Sequence, residues 1–251
     1  MTELQVTLLA AKEGAKRALY YFDKSPKVTI KPDNTPVTKA DLETEAQIKQ
    51  IILQYFPNSS FLGEESGGNI HDEELWVIDP IDGTRNYIRG LPFWGVEIAF
   101  VKNGQPVIGV SYSPCLNELM YAQEGKGAYL NEKKATVSGI TTLSDAVLNH
   151  GTLKYYQDSL PQLLSLASTC AHQRGYGDFY GYHLVASGRS DIMLDAKNGP
   201  WDIAALKIII EEAGGKVTNF KGNDWTLSDK TAVATNGLIH AEVVRILNKK
   251  N

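Results

Sequence analysis

The sequence predicts a mixed protein of the α+β or α/β class, with an antiparallel-rich first half and a βαβ-like second half. Residues 94–113 alternate apolar and polar side chains on either side of an Asn-Gly turn, a pattern typical of a β-hairpin. After about residue 140, short apolar runs alternate with helical patterns, which favours βαβ units. Because no low-complexity linker or repeat interrupts the chain, we expect one domain over 1–251, with halves at about 1–140 and 141–251.

The first half opens with an amphipathic helix over residues 3–22. Its apolar residues return every three or four positions and share one face: Leu4, Leu8, Ala11, Ala15, Ala18 and Phe22. Residues 25–37 hold three prolines and are expected to form a loop. A second helix is predicted from Thr38 to Phe56, because Pro57 cannot continue it.

The remaining elements follow from short apolar runs bounded by turn residues. The expected strands are residues 75–79, 94–102, 106–113, 118–123, 127–130, 146–149, 191–195, 216–220 and 231–235. The expected helices of the second half are residues 158–169, 180–187, 200–213 and 237–248.

The composition excludes several classes of protein. A net charge of −4 argues against a nucleic-acid partner. Two cysteines, Cys115 and Cys170, without metal-motif neighbours indicate a reducing cytoplasm rather than a disulfide framework. The polar N-terminus does not resemble a signal peptide, and no apolar run reaches the length of a membrane span. The five histidines form no zinc-type pair, so a histidine metal site is not expected.

The segment that best indicates function is an apolar run that ends in two aspartates, Asp79 and Asp82. The run is typical of a buried strand, and Pro80 and Gly83 indicate a sharp turn at its end. Two carboxylates at a strand end suit a hard cation, and the N–H groups of Gly83 and Thr84 could face an anion. The alternative is an ordinary turn, because Asp-Pro and Asp-Gly are common turn dipeptides that bind nothing.

Acidic residues recur at other element boundaries. Glu64 and Glu65 lie in a glycine-rich loop, which is either a solvated acidic loop or the source of one metal ligand that reaches the aspartates. Asp202 begins an apolar helix, as a match to the helix dipole or as a remote third carboxylate. Asp41, near the start of the second helix, has the same two interpretations: a match to the helix dipole or a carboxylate of the site. With Thr38 it fits a capping pattern.

These motifs resemble the inositol monophosphatase family of magnesium-dependent, lithium-sensitive phosphatases. The matching segments are GEES (63–66), WVIDPIDGTRNY (76–87), SYSPCLNELMYAQEGKGAYLN (111–131) and PWDIAALKIIIEEAGG (200–215). The resemblance implies a layered sandwich of alternating helix pairs and sheets, a single catalytic domain, and a homodimer. It also implies two to three Mg²⁺ ions and direct in-line attack by water on a small phosphate monoester.

The resemblance also implies roles for individual residues. The implied metal ligands are the side chains of Glu64, Asp79, Asp82 and Asp202 and the carbonyl of Ile81. Thr84 with Asp41 matches the pair that orients and deprotonates the attacking water, and Glu64 is counted with them as catalytic. Gly83 and Thr84 match the amides that hold phosphate, and Glu65 matches a neighbour of the site.

The substrate is read from the second half, where residues 174–194 look like the histidinol-phosphatase branch. Asp178 then pairs with the substrate's ammonium, or else it is the N-cap of the following helix. Asp195 matches a position that contacts the alcohol. Tyr180, Tyr182 and Arg189 are substrate contacts or packing residues, and we interpret Arg189 as a surface residue.

Other functions remain open. Arg85-Asn86-Tyr87 resembles the inositol-phosphatase pattern, so the alternative is an inositol-1-phosphate phosphatase or a broad sugar-phosphate phosphatase. A different class is a catalytically inactive protein that binds phosphate and metal and acts in regulation. Loss of Thr84, Asp41 or a metal carboxylate would signal that class, and all of them are present.

Overall fold

The computed structural model of the chain describes residues 1–22, 24, 28–30 and 36–249. Within these ranges the helices are α1 (Glu3–Phe22), α2 (Lys39–Tyr55), α3 (Thr84–Tyr87), α4 (Leu160–Thr169), α5 (Asp178–Ala186), α6 (Pro200–Glu212) and α7 (His240–Leu247). The strands are β1 (Val28–Ile30), β2 (Pro36–Thr38), β3 (Ser60–Gly63), β4 (Glu74–Asp82), β5 (Gly95–Lys102), β6 (Gln105–Ser113), β7 (Glu118–Gln123), β8 (Ala128–Leu130), β9 (Lys133–Ala135), β10 (Val147–His150), β11 (His172–Arg174), β12 (Ile192–Asp195), β13 (Lys216–Thr218) and β14 (Ala232–Thr235).

The sheet of the first half is covered by helices on both faces, because its strands carry apolar residues on both sides. Its strand order is β3-β4-β5-β6-β7-β8-β9, with β3 parallel to β4 and every later pair antiparallel. On β4, Trp76 and Ile78 pack with residues of α1 and α2, whereas Leu75 and Val77 pack with residues of α6. The sheet therefore lies between α1/α2 and α6.

The sheet of the second half combines parallel and antiparallel pairs. Its order is β11-β10-β12-β14-β13, with β10 parallel to β11 and β12, and β14 antiparallel to β12 and β13. Leu148 and Ile192 pack with α4 and α7, whereas Met193 and Ala234 pack with α5 and α6. The layers thus run α1/α2, first sheet, α5/α6, second sheet, α4/α7, which confirms the expected sandwich of helix pairs and sheets.

The expected end of the key strand is wrong. The sequence places it at Asp79, whereas β4 continues to Asp82 and includes Pro80. The register to β5 shifts between Asp79 and Asp82, so the proline, which has no N–H, lies where the ladder is already interrupted. The expected loop at 25–37 contains β1 and β2, and its other residues lie outside the described ranges.

Several elements have no counterpart in the sequence prediction. They are β3, β9, β11 and α3, each three or four residues long. A run of that length is too short to show a helical or strand period, so only the surrounding structure defines it. Over the residues that are described, no helix combines the length and the apolar character that crossing a membrane requires.

Candidate active site

Three aspartates from two elements meet at the end of β4. The carboxylate oxygens of Asp79, Asp82 and Asp202 lie within 4.8 Å of one another. The bulge in β4 places two of them on the same side, and the start of α6 supplies the third. Asp202 also caps its own helix, because the Gly199 N–H donates to Asp202 Oδ2 at 2.6 Å. Asp202 therefore lies in the first turn of α6, where an acid matches the helix dipole, and also contributes the third carboxylate of the cluster.

The electrostatics of this aspartate cluster favour bound cations. Burial raises the pKa of Asp79 well above its usual range, and the nearby charges of Glu64, Asp82 and Asp202 add to the rise. The pKa of Asp82 is also raised, first by burial and then by Asp178 and Asp202, and that of Asp202 is raised by burial to about 6. Closely spaced carboxylate oxygens with mutual repulsion are a donor set that fits a hard divalent cation such as Mg²⁺.

Glu64 lies on the cleft beside the cluster, in a tight loop after β3, and is not one of the three residues whose oxygens lie within 4.8 Å of one another. The loop is closed by two hydrogen bonds between Gly63 and Gly67, whose N–H groups donate to each other's carbonyls at 3.1 and 2.9 Å. The Glu64 N–H donates to the Ile78 carbonyl at 3.0 Å, which joins the loop to β4. Glu64 lines the same cleft as Asp79, and the negative charge of Glu64 contributes to the raised pKa of Asp79.

A buried carboxylate on α2, that of Glu45, holds this loop by a hydrogen bond to its backbone. Glu45 Oε2 accepts the N–H of Glu65 at 2.9 Å, and Glu45 Oε1 pairs with Lys49 Nζ at 2.8 Å. A Cβ on Gly63 would lie 2.3 Å from Glu45 Oε1, so only glycine allows this approach. The sequence analysis did not identify Glu45, because its spacing on α2 looks like that of any charged helix residue.

The turn after β4 lies on the cleft. Gly83 has a φ of +80° and begins α3, a conformation that favours glycine. The Ile81 N–H donates to Asp79 Oδ1 at 3.0 Å, and the Thr84 hydroxyl donates to the Ile81 carbonyl at 3.1 Å. Ile81, Gly83 and Thr84 all line the cleft. The implied phosphate and water contacts of this turn are compatible with that position.

Asp41 lies in the capping box at the start of α2. Its Oδ2 accepts the backbone N–H of Thr38 at 2.8 Å and the Thr38 hydroxyl at 2.6 Å, which confirms the capping interpretation. The side chain is fully buried, and among the described residues that line the cleft Asp41 is not found. Its partnership with Thr84 stays a prediction.

The cleft beside the cluster has a volume of about 420 Å³, and Asp178 lies on its wall. Asp178 Oδ2 accepts a hydrogen bond from Asn86 Nδ2 at 3.0 Å. Burial raises the pKa of Asp178, against the opposing effects of Asn86 and Arg85. The N-cap of α5 is Gly177, so the interpretation of Asp178 as the helix cap is wrong.

The other candidate substrate residues lie in three different places: the cleft, an adjoining recess and the surface. Asp195 lines a recess of about 120 Å³ that adjoins the cleft and shares Asp178 with it. Tyr182 lines the recess, and Tyr180 lines the cleft. Arg189 instead donates to both carboxylate oxygens of Glu118 at 2.6 and 2.9 Å, which supports its interpretation as a surface residue.

Two groups of residues near the site were missed from the sequence. Phe93 and Tyr176 line the cleft from loops, and no local pattern signals that. Glu97 is fully buried on β5 directly opposite Asp79, where the Ser111 hydroxyl donates to its Oε1 at 2.7 Å. A charged residue inside the apolar run of β5 is a signal that could have identified it.

Comparison with known proteins assigns the fold and the chemistry to a family. A model of the inositol monophosphatase family matches residues 1–251. A histidinol-phosphatase of Mycobacterium tuberculosis is 38% identical over 230 residues, covering 88% of each chain. A fructose-1,6-bisphosphatase/inositol-1-monophosphatase of Thermotoga maritima is 36% identical over 213 residues, covering 85% of this chain and 82% of the other. A solved Thermotoga maritima IMPase superposes with a TM-score of 0.91 at 32% identity, covering 99% and 97% of the two chains.

Proposed function

Because the chain belongs to the inositol monophosphatase family and is a phosphoric monoester hydrolase, we propose that its substrate is histidinol phosphate. The observation that carries the proposal is the carboxylate of Asp178 on the wall of the cleft, close to Asp82. Histidinol phosphate has an ammonium group that such a carboxylate can bind, whereas inositol phosphates and sugar phosphates have only hydroxyls. The similarity to the Mycobacterium tuberculosis histidinol-phosphatase supports this choice.

The proposal includes magnesium. The family is generally Mg²⁺-dependent, and the oxygen donors of the cleft fit that ion. We assign as ligands the side chains of Glu64, Asp79, Asp82 and Asp202 and the Ile81 carbonyl, for two to three ions. When bound, the ions supply Lewis-acid stabilisation and a more acidic water. We also propose inhibition by lithium, a homodimer and a cytoplasmic location, as the family resemblance implies.

The protein's own groups then position the reaction. The N–H groups of Gly83 and Thr84 hold the phosphate at the start of α3, and Thr84 with Asp41 orients the attacking water and takes its proton. The Thr84 hydroxyl already lies 3.1 Å from the Ile81 carbonyl, which fixes its rotamer. Asp178 and Asp195 bind the alcohol part of the substrate.

A phosphate-release panel with magnesium tests the substrate. It compares histidinol phosphate, inositol 1-phosphate, fructose 1,6-bisphosphate and a nucleotide 3′-phosphate on the wild type and on Asp178→Asn. A charge-assisted bond contributes about 1.5–3 kcal/mol, so the variant should lose about ten- to a hundredfold in kcat/KM on histidinol phosphate. Asp158→Asn, at an exposed position in a short 3-10 helix outside the cleft, is the matched control and should change nothing.

The panel also decides between the alternatives. Hydrolysis of inositol 1-phosphate should be nearly unaffected by Asp178→Asn, because this substrate has no ammonium group for Asp178 to bind. A wild type that prefers inositol 1-phosphate, with equal losses in the variant, would contradict the proposal and favour the inositol-phosphatase reading of Arg85-Asn86-Tyr87. The Thermotoga maritima fructose-1,6-bisphosphatase/inositol-1-monophosphatase, at 36% identity, makes this the second candidate. No turnover of any ester would favour an inactive regulatory protein.

A further inference from the structure

Three aromatic rings converge on one wall of the cleft. They belong to Phe93, Tyr176 and Tyr180, which we call the aromatic wall. Ring centroids are 5.2 Å apart for Phe93 and Tyr180, 5.5 Å for Tyr176 and Tyr180, and 6.2 Å for Phe93 and Tyr176. We propose that the aromatic wall is a binding site for a planar aromatic ring, such as an imidazole, on the leaving alcohol of the substrate. This inference rests on the proposed function and extends it.

The exposure of the rings shows which face is available. Tyr176 is 42% exposed, although the residue lies beside buried acids, while Phe93 and Tyr180 are partly buried. The guanidinium of Arg189 lies 6.0 Å from the centroid of the Tyr180 ring, so Tyr180 already has one charged neighbour. A single exposed aromatic residue is ordinary, but three that share one cleft form a surface for stacking. Tyr176 therefore presents the open ring of the wall.

The aromatic wall is joined to the acid and to the phosphate turn. Asn86 Nδ2 donates to the Phe93 carbonyl at 2.9 Å and to Asp178 Oδ2 at 3.0 Å. A Cβ on Gly83 would lie 2.7 Å from the Phe93 carbonyl and 3.5 Å from Asp178 Oδ2. One amide thus ties the wall to the acid, and the turn packs directly against both.

The backbone of the acid supports a functional position. Asp178 has a φ of +55°, a left-handed conformation that costs energy for a residue other than glycine. The conformation places its carboxylate on Asn86, while the next N–H, of Phe179, donates to Asp82. Both hydrogen bonds join this strained residue and its neighbour to the candidate site. Backbone strain that is maintained by such contacts is typical of residues whose orientation matters for function.

The combination of these groups specifies a substrate. The phosphate turn, the carboxylate of Asp178 and the aromatic wall line one cleft, and Tyr176 and Tyr180 flank Asp178 in the chain. A short alcohol with its phosphate ester, an ammonium on the neighbouring carbon and a ring one methylene further carries one group for each of them. An imidazole ring gains stacking from tyrosine faces, and its protonated form gains cation–π attraction as well. A polyol phosphate has no group that uses this surface.

The test separates the ring from the other two groups. Histidinol phosphate carries all three, whereas O-phosphoethanolamine carries the phosphate and the ammonium at the same spacing and no ring. Tyr176→Ala should lower kcat/KM for histidinol phosphate by roughly fivefold to thirtyfold, mainly through KM, since the stacking contact with the imidazole ring is lost. O-phosphoethanolamine should be hydrolysed as by the wild type, and Tyr176→Phe should retain the wild-type preference.

Further variants keep the result interpretable. Phe93→Leu, which keeps an apolar side chain, should show the same selective loss. Tyr129→Ala is the matched control, because its ring stacks on Tyr121 on the first sheet and does not line the cleft. Equal losses on both substrates in Tyr176→Ala and Phe93→Leu would overturn the inference alone. A wild type that prefers inositol 1-phosphate to histidinol phosphate would overturn the proposed function, and the inference with it.

Discussion

Two acidic regions that contact α5 use the same carboxylate chemistry with opposite electrostatics: the aspartate cluster, through the Phe179 N–H, and Glu118, through His183. In the active site, burial and mutual repulsion raise the pKa of Asp79 and of Asp82 well above the usual range. At Glu118, burial alone would raise the pKa, but the hydrogen bonds of His183 and Arg189 and the charge of Arg189 overcome it and lower that pKa to about 2.

The difference lies in what neutralises the carboxylates. Glu118 receives two hydrogen bonds from Arg189 and one contact from His183 at 3.3 Å, so the protein itself supplies the counter-charge. Apart from burial, the influences on the pKa of Asp79 are the charges of other acids, so a bound cation would supply the counter-charge that the neighbouring side chains do not. Partner residues therefore distinguish a carboxylate that the protein neutralises from one that is available to a cation.

The largest expected effect is that of Asp82→Asn. The amide keeps the shape and can still accept the N–H of Phe179, but it removes a charge from the aspartate cluster. We expect kcat to fall by at least roughly a hundredfold, because weakened metal ligation affects the transition state directly. Phosphate release at saturating magnesium measures it, with circular dichroism as the check on folding. A variant that keeps most of its kcat would contradict the ligand assignment.

Thr84→Ala should have the next largest effect. An orienting hydroxyl acts mainly in the transition state, so kcat should fall by roughly a hundredfold while KM changes little. Steady-state kinetics on the preferred substrate measure both constants. Thr84→Ser keeps the hydroxyl that donates to the Ile81 carbonyl and should restore most of the rate. A change in KM alone would make Thr84 a binding residue.

A substitution at Glu118, whose charge is neutralised by Arg189, should affect stability and not activity. The lowered pKa of Glu118 means that its stabilising contribution is present above about pH 4.5 and is lost as the pH falls towards 2. Glu118→Gln should therefore lower the free energy of unfolding by about 1–3 kcal/mol at pH 7, and by less at pH 3. Urea unfolding at both pH values measures this, with the exposed Glu124→Gln as control. A large loss of kcat in Glu118→Gln would break the comparison.

Glu97 is an intermediate case with the smallest expected effect. Burial raises the pKa of Glu97 well above its usual range, and among the described residues its Oε2 has no hydrogen-bond partner. A raised folded-state pKa gives stability that is complete below the unfolded pKa and is lost as the pH rises. Glu97→Gln should match the wild type near pH 4 and exceed it by about 1 kcal/mol at pH 8, in urea unfolding with chelator. A variant less stable at pH 8 would show that Glu97 is ionised and paired.

Local patterns in the sequence were sufficient for most of the fold. The helix over 3–22 follows from residue periodicity, because one of its faces is buried. The hairpin strands are buried on both faces for most of their length, and they follow from their apolar runs and the Asn-Gly turn between them. Continuation of β4 through Pro80 could not be predicted, since it depends on the register shift against β5. The same bulge brings Asp79 and Asp82 together, so the site depends on a feature that the local pattern conceals.

The candidate site was predictable where motifs carried it and not where loops met. The sequence indicated Asp79, Asp82 and Asp202, and the structure brings their oxygens together. It gave no sign that Phe93 and Tyr176 share a wall, because they come from loops of different sheets. Contacts between distant loops depend on packing of the layers, which no local spacing encodes.

Removal and return of magnesium test most directly whether the aspartate cluster depends on an external cation. The wild-type protein is treated exhaustively with chelator, and phosphate release from histidinol phosphate and from inositol 1-phosphate is then followed as Mg²⁺ is added back. We expect hydrolysis of both esters to disappear on chelation and to return with Mg²⁺, and the melting temperature to rise with Mg²⁺ in the wild type but much less in Asp82→Asn. Undiminished hydrolysis after thorough chelation would contradict the account.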